Sequence, residues 1–227
     1  DYYDDSRCRY MKGLLIKDFK LMMMQKNFFL SIIAIAVVLT VFVKNPSFII
    51  GYLTFIGSVF TLSTISYDEF DNGNAFLFSL PITRILYALE KYVFGFLTGA
   101  CSCLISLILC MIFGLIFGNY SISDSLMTAG MSFPMFLFLL LLMLPVHLKF
   151  GSEKGKIAIL GVLGAVFIVG FLFVKLDQLL GLGIIASLNS MSDLGIGGLI
   201  AAMFAIVAVL FLISYRISSK IMEKKEF

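Results

Sequence analysis

Apolar residues run along this chain in long blocks that charged residues interrupt only at intervals. About 20 apolar residues (range about 17–25) cross the hydrocarbon core of a membrane as a helix. Six blocks without Asp, Glu, Lys or Arg are long enough, and they cover residues 27–43, 45–67, 92–123, 125–148, 157–174 and 194–215. The pattern therefore predicts an all-α membrane protein with six transmembrane helices.

A seventh block, residues 178–192, is too short to cross the membrane. Its apolar run, Leu179 to Ala186, is followed by a polar run from Asn189 to Asp193. Such a segment is typical of an element that enters the membrane and leaves on the same side, or lies at its surface. We expect a re-entrant segment before the last span.

An amphipathic stretch between Met11 and Lys26 precedes the first block. Its apolar face comprises Leu15, Ile16, Phe19, Met22 and Met23, and the residues mostly opposite are Lys17, Asp18, Lys20 and Gln25. This spacing predicts an N-terminal interfacial helix lying on the membrane surface. The alternative is a simple extension of the first span, with lysines that reach back to the headgroups.

The first ten residues differ in character from the rest of the chain. They begin Asp1-Tyr2-Tyr3-Asp4-Asp5-Ser6 and resemble an acidic epitope tag, whereas Met11 opens a stretch typical of a natural start. We expect residues 1–10 to be an added segment, and residues 11–227 to form a single transmembrane domain.

The composition agrees with a lipid environment. Of 227 residues, 60% are hydrophobic and 14% charged, against about 45–50% and about 25% in soluble domains. A water-soluble fold would have no core large enough for this apolar surface, and a nucleic-acid-binding or disordered chain is excluded by the same comparison. Four cysteines do not make a disulfide scaffold.

The positions of the 17 Lys and Arg residues give the orientation. With six spans, fifteen of them fall on the side that holds both termini, and only Lys44 and Lys175 fall on the other. Cytoplasmic flanks carry the excess of positive residues. The sequence therefore predicts that both termini are cytoplasmic.

The one sizeable cytoplasmic loop covers residues 67–91. Asp68 and Glu69 suit the N-terminus of a helix, and Pro81 suits the first turn of the next helix. We expect a short amphipathic helix, a turn at residues 79–81, and a long helix leading into the third span. The loop also carries four apolar residues, Phe70, Phe76, Leu77 and Phe78. They predict either a docking surface for a partner or a contact with lipid headgroups.

Catalytic chemistry is not predicted. No Asp, Glu, Lys or Arg lies within the six blocks, which disfavours a transporter driven by protons or ions. The single His147 has no second metal ligand or carboxylate partner in the sequence pattern. The segment from Gly151 to Lys156 resembles a phosphate-binding loop, but its glycine spacing is one residue short and Ile157 replaces the required Ser or Thr. If ATP drives this protein, another chain must bind it.

Two parts of the chain carry a resemblance. The loop contains Tyr67-Asp68-Glu69, Ser79-Leu80-Pro81-Ile82-Thr83-Arg84 and Glu90-Lys91-Tyr92, and it resembles the first cytoplasmic loop of bacterial type 2 ABC transporter permeases. The stretch Met11-Lys12-Gly13-Leu14-Leu15-Ile16-Lys17-Asp18-Phe19 is similar to the interfacial helix of the same subfamily. Within that subfamily, the chain looks similar to the permeases of phenol-soluble modulin exporters.

The resemblance implies a non-catalytic permease subunit in the bacterial cell membrane. It would pair with a second permease, identical or different, and with two cytoplasmic ABC ATPase subunits that bind ATP and Mg²⁺, and it would hold no cofactor itself. The helix after the second span would be a coupling helix, and the implied coupling residues are Asp68, Glu69, Phe76, Leu80, Pro81 and Arg84, supported by Lys17 and Phe19. The implied cargo is amphipathic or lipid-like and includes cytotoxic or antimicrobial peptides. Relatives often carry a Trp beside the loop glycine, whereas this chain has Asn72-Gly73-Asn74 and no Trp.

Two other classes of function remain open. The substrate-binding membrane subunit of a vitamin importer also has about six spans, but it gives no reason for acidic residues followed by Leu80-Pro81 and Arg84. A non-transporting membrane enzyme or assembly factor would need reactive groups at membrane depth, and the blocks contain none.

Overall fold

The computed structural model describes residues 2–43, 46–70, 73–117, 122–180 and 195–225, which are helical apart from short turns. This confirms the all-α class. Seven helices lie in the described part of the chain: α1 Tyr2–Met24, α2 Lys26–Val43, α3 Pro46–Glu69, α4 Gly73–Ser79, α5 Arg84–Phe117, α6 Ile122–Leu180 and α7 Gly195–Lys224.

Four described helical stretches are long and apolar enough to cross a membrane, and a bent pair adds a fifth. The four are Phe48–Glu69, Arg84–Ile116, Ile122–Gly151 and Ile196–Lys224, and the pair is Arg9–Met24 with Lys26–Thr40. The bent pair corresponds to the first predicted span, and the four stretches correspond to the second, third, fourth and sixth. The fifth, residues 157–174, lies in the helical second part of α6 but is not among these stretches. The predicted re-entrant segment, residues 178–192, begins within the end of α6, and its part beyond Leu180 lies outside the described residues.

The chain bends by 65° between α1 and α2. Gln25 forms the turn, because its N–H donates to the Met22 carbonyl at 3.1 Å and its own carbonyl accepts from the N–H of Phe28 at 3.0 Å. A simple straight extension of the first span is therefore wrong. Ile16 and Met23 on the apolar face of α1 are exposed, whereas Leu14 and Asp18 are buried against the bundle. The predicted polar face is therefore not fully exposed to water, because Asp18 is buried and pairs with Lys91.

Helix α3 forms the centre of the bundle. Its first half packs in a cluster with Ile32 of α2 and Cys103 of α5, and its second half packs in a cluster with α5 and α6 around Leu144. A Cβ at Gly57 would lie 2.1 Å from Ser102 Oγ, so glycine is what lets α3 and α5 approach closely.

The loop between α3 and α5 contains a short helix, a turn and a long helix, but two predicted details are wrong. Asp68 and Glu69 lie at the C-terminal end of α3 and not at the start of a helix. Acidic groups are unfavourable there because of the helix dipole, and nearby lysines offset this cost. Pro81 precedes α5, whose N-cap is Thr83: its hydroxyl accepts from the N–H of Leu86 at 3.3 Å.

The loop expected between the fourth and fifth spans is a one-residue break inside α6. Gly151 has φ 73° and ψ −174°, a conformation that is essentially restricted to glycine. A Cβ at Gly155 would lie 2.9 Å from His147 Nδ1, whereas residues eight apart in a straight helix are separated by about 12 Å. The chain therefore turns sharply at Gly151.

Candidate functional site

Charged side chains meet inside the bundle where α1, α3 and α5 come together. Lys91 of α5 places its Nζ 2.5 Å from Asp18 Oδ2 and 2.8 Å from Asp68 Oδ2. The same ammonium group donates to Thr64 Oγ1 at 3.2 Å. The side chains of Lys91 and Asp18 are both 0% exposed. One cation thus joins a carboxylate of α1 to a carboxylate of α3.

Further groups complete this network, which we call the buried ion cluster: Lys17, Asp18, Asp68, Tyr87, Glu90 and Lys91. Lys17 binds Asp68 and lies 3.2 Å from Asp18 Oδ1. The Tyr87 hydroxyl donates to Asp68 Oδ2 at 3.0 Å, and Lys91 lies 5.0 Å above the Tyr87 ring.

The buried ion cluster holds two ammonium groups and three carboxylates. The carboxylate of Glu90 is fully buried, lies 3.6 Å from Lys91 Nζ, and accepts no hydrogen bond from the described residues. Burying an ion costs several kcal/mol, which close pairing offsets only in good geometry. Such a cluster contributes little net stability. It does fix how α1, α3 and α5 are oriented, because Asp18 of α1 and Asp68 of α3 each bind a lysine of another helix.

A second set of polar contacts surrounds the end of α7, and we call it the C-terminal clasp: Glu69, Arg84, Leu148, Glu223 and Lys225. Lys225 Nζ lies 3.0 Å from Glu69 Oε1 and donates to the Leu148 carbonyl at 3.0 Å. The Arg84 guanidinium donates to the carbonyls of Lys225 at 2.5 Å and Glu223 at 3.3 Å. The clasp joins the ends of α3 and α7 to the start of α5 and to α6 near its break.

Helix α4 lies between these two networks and has two faces. Leu77, 8% exposed, and Asn74 are buried toward the bundle. Phe78 packs edge-on against the Tyr87 ring at 5.6 Å, with the Arg84 guanidinium 5.9 Å from the Phe78 ring centre. Phe76, by contrast, is 72% exposed. The inner face therefore anchors α4 to α5 and the outer face is open.

The predicted coupling residues fall into separate places. Asp68 and Lys17 are in the buried ion cluster, and Glu69 and Arg84 are in the C-terminal clasp. Phe76, Leu80 and Pro81 are exposed on or beside α4. Phe19 lies away from them, where its ring packs edge-on against Phe94 at 5.5 Å.

Four residues of the buried ion cluster and one side chain of the clasp were not among the predicted site residues, namely Asp18, Tyr87, Glu90, Lys91 and Lys225. The clasp also uses the backbone carbonyls of Leu148, Glu223 and Lys225. Glu90 and Lys91 were placed outside the third span because they interrupt the apolar block. The available signal was that Asp18 and Lys91 have opposite charges and both flank apolar blocks on the side predicted to hold the termini.

A hydroxyl network joins α5, α6 and α7 deeper in the bundle. The Tyr92 hydroxyl lies 2.6 Å from Ser214 Oγ and 2.7 Å from Ser218 Oγ, and the Ser214 hydroxyl donates to the Leu141 carbonyl at 2.5 Å. All three polar side chains are buried. The end of α7 is therefore held to α5 by neutral groups as well as by the clasp.

Long apolar helices, with most of the described charges near one end of the bundle, define a multi-pass membrane protein. A family model described as ABC-2 family transporter protein matches residues 13–223. The chain therefore belongs to the ABC-2 transporter family. Members are membrane transport components, generally without catalytic activity, and membership implies partnership with an ABC ATPase subunit. No curated protein and no solved structure matches the chain.

Proposed function

We propose that this chain is the permease subunit of an ATP-driven exporter, with α4 as the coupling helix on which a cytoplasmic ABC ATPase docks. The observation that carries this proposal is the division of α4 into two faces. Phe76 is presented outward, while Leu77 and Phe78 fix the helix to the bundle. Exposed aromatic residues are preferred anchors in protein interfaces.

Two contacts offer a route from α4 into the bundle. A displacement of α4 would move Tyr87 through its ring contact with Phe78, and the Tyr87 hydroxyl donates a hydrogen bond to Asp68. Asp68 shares Lys91 with Asp18, so α1, α3 and α5 respond together. Ion pairs at this depth resist separation because each broken pair leaves a buried charge.

The C-terminal clasp offers a second route. Arg84 lies beside Phe78 and binds the end of α7 through the carbonyls of Glu223 and Lys225. Lys225 in turn binds the Leu148 carbonyl close to the break in α6. Closure of the ATPases would then tilt these helices about their common end and open a path through the membrane.

We infer six spans with both termini cytoplasmic. Contacts at one end of the bundle support this topology: Asp18 of α1 meets Lys91 near the start of α5, and Lys225 after α7 meets Glu69 at the end of α3. Both terminal helices therefore end on the side of the α4 loop. The excess of fifteen over two positive residues assigns that side to the cytoplasm.

We infer that the functional unit contains a second permease, as the family resemblance implies, in the bacterial cell membrane. The cargo is amphipathic, with cytotoxic peptides of the phenol-soluble modulin type first among the candidates. In support, the Asp, Glu, Lys and Arg residues of the described spans lie near the ends of their helices, with Asp124 at one end of the bundle and the others at the opposite end. The middle of the bundle is therefore apolar, which suits lipid-like surfaces and does not suit ions.

Co-purification with the cognate ATPase tests the docking role of α4. Phe76→Glu places a charge on the open face, and we expect it to abolish co-purification and permease-dependent ATP hydrolysis while the melting temperature stays unchanged. Leu77→Ala acts on the buried face and should lower the melting temperature instead. Tyr10→Glu is the control for a new charge outside the loop, at an aromatic residue that is 36% exposed. Wild-type ATPase binding by Phe76→Glu would contradict the proposal.

Inside-out vesicles test the direction and the cargo. With the permease and its ATPase present, ATP should drive a labelled amphipathic helical peptide into the vesicle lumen. A scrambled peptide of equal charge, without an apolar face, should stay outside. Loss of peptide from preloaded vesicles on ATP addition would mean import and would refute the exporter.

A further inference from the structure

A groove opens on the outside of the bundle beside the bend between α1 and α2. Its volume is about 370 Å³, within the range of about 300–1,000 Å³ typical of ligand sites. Met23 of α1 lies at one end, and Leu30 and Ile33 of α2 line one wall. Lys26, at the start of α2, is the one charged residue among the described residues that line it.

Small residues make the groove deep. Gly57 of α3 and Ser102 of α5 are part of its lining, and a Cβ at Gly57 would lie 2.1 Å from Ser102 Oγ. The backbones of α3 and α5 therefore meet closely at the floor, and α2 stands beside them as a wall.

The groove extends along α2 from Lys26 to Ile33, and α2 holds the first predicted span. The seven-residue step from Lys26 to Ile33 along α2 covers about 10 Å, and half of the hydrocarbon core is about 15 Å thick. A chain lying in the groove would have its polar end beside Lys26 and its apolar end beside Ile33. This is the arrangement of one phospholipid acyl chain below its headgroup.

The headgroup end of the groove is basic. An adjoining cavity of about 450 Å³ shares Phe19 and Met23 with the groove, and its lining includes Lys12 and Lys20. The carboxylates of Asp18 on α1 and Asp68 on α3 are bound by Lys17 and Lys91. In the described part of the chain, no ion pair is formed by Lys12, Lys20 or Lys26, and all three are exposed.

We propose that this groove binds one acyl chain of an anionic phospholipid, whose phosphate is held by Lys26, while Lys20 and Lys12 extend the positive charge along α1. The N-terminus of α2 adds positive potential at the same level. A second copy of the chain fits less well, because a two-fold axis along the membrane normal would bring the partner's lysines to the same depth and set like charges together.

A tryptophan introduced into the groove tests the site by its fluorescence, without background emission from other tryptophans, because the chain contains no Trp. The reporter is Leu30→Trp in the groove, and its control is Leu212→Trp, since both leucines are 62% exposed and Leu212 lines a groove on α7 without charged residues. Each protein is placed in nanodiscs with phosphatidylcholine or phosphatidylglycerol brominated in the acyl chain. We expect about fivefold tighter binding of phosphatidylglycerol at Leu30→Trp, and equal quenching by both lipids at Leu212→Trp.

Charge variants assign the headgroup. Added to Leu30→Trp, Lys26→Gln should remove most of the preference, Lys26→Arg should keep it, and Lys220→Gln on α7 should leave it unchanged. Equal quenching by both lipids at Leu30→Trp would overturn the proposal, as would a preference that survives Lys26→Gln. Absence of quenching by either lipid would also overturn it, since cargo or a second protein chain would then occupy the groove.

Discussion

Lys91 is the residue on which the buried ion cluster depends. It contacts Asp18 and Asp68 directly and is the cation closest to Glu90. Lys17, the other cation, is partly exposed and binds the same two aspartates from the opposite side. Removing Lys91 would therefore leave three carboxylates with one cation at the rim of the bundle.

We expect Lys91→Met to lower the free energy of unfolding by about 3–5 kcal/mol, the usual cost of leaving a buried charge without its partner. The readout is thermal unfolding of the purified protein in detergent. Lys220→Met, an exposed lysine of α7, is the control and should change stability by no more than about 0.5 kcal/mol. Adding Asp18→Asn to Lys91→Met should recover part of the loss, and equal stability of Lys91→Met and Lys220→Met would contradict the role of the cluster.

At the scale of single elements, apolar blocks predicted the existence of helices well and their ends poorly. The length of an apolar block identifies a membrane-spanning helix, because the thickness of the membrane determines how many residues are needed to cross it. Helix α5 begins at Arg84, after the Thr83 N-cap and eight residues before its block, as expected for a long helix leading into the third span. Glu90 and Lys91, which interrupt the apolar pattern, are buried within it. Sequence alone does not show which charged residues have partners on other helices, so it ends a predicted span where a pair is in fact buried.

The break in α6 gives a prediction that distinguishes two glycines of one helix. Gly151→Ala should lower stability by about 1–3 kcal/mol, because the positive φ suits only glycine and the new Cβ would lie 3.0 Å from Glu69 Oε2. Gly161→Ala should be neutral or raise stability by up to about 1 kcal/mol, since Gly161 is helical with open space around it. Thermal unfolding in detergent measures both, and equal shifts would mean that the break is not required.

At the scale of the whole molecule, the charges predict on which side of the membrane each loop lies, whereas the candidate site is only partly predictable from the sequence. Asp68 and Arg84 belong to sequence motifs of the loop between the second and third spans, so the sequence alone marks them as candidate site residues. Lys225 meets Glu69 across 156 residues of sequence, and such a contact leaves no local pattern. The clasp could therefore be found only from the folded structure.

Thiol labelling in intact cells tests the six-span topology. In a background without the native cysteines, single cysteines replace Lys154, Lys220 and Lys175. A membrane-impermeant maleimide should label Lys175→Cys from outside and reach Lys154→Cys and Lys220→Cys only after the cells are opened. Labelling of Lys175→Cys and Lys154→Cys from the same side would contradict the fifth span.

The separation of Glu69 from Lys225 also bears on the timing of biosynthesis. At about 5–20 residues per second, synthesis of the intervening 156 residues takes roughly 8–30 s. During that interval the end of α3 has been made, while the lysine that binds its carboxylate has not. The C-terminal clasp beside α4 is therefore incomplete until α7 has been inserted. If α4 has the docking role proposed above, an ATPase would meet a complete clasp only on a protomer whose membrane integration is nearly finished.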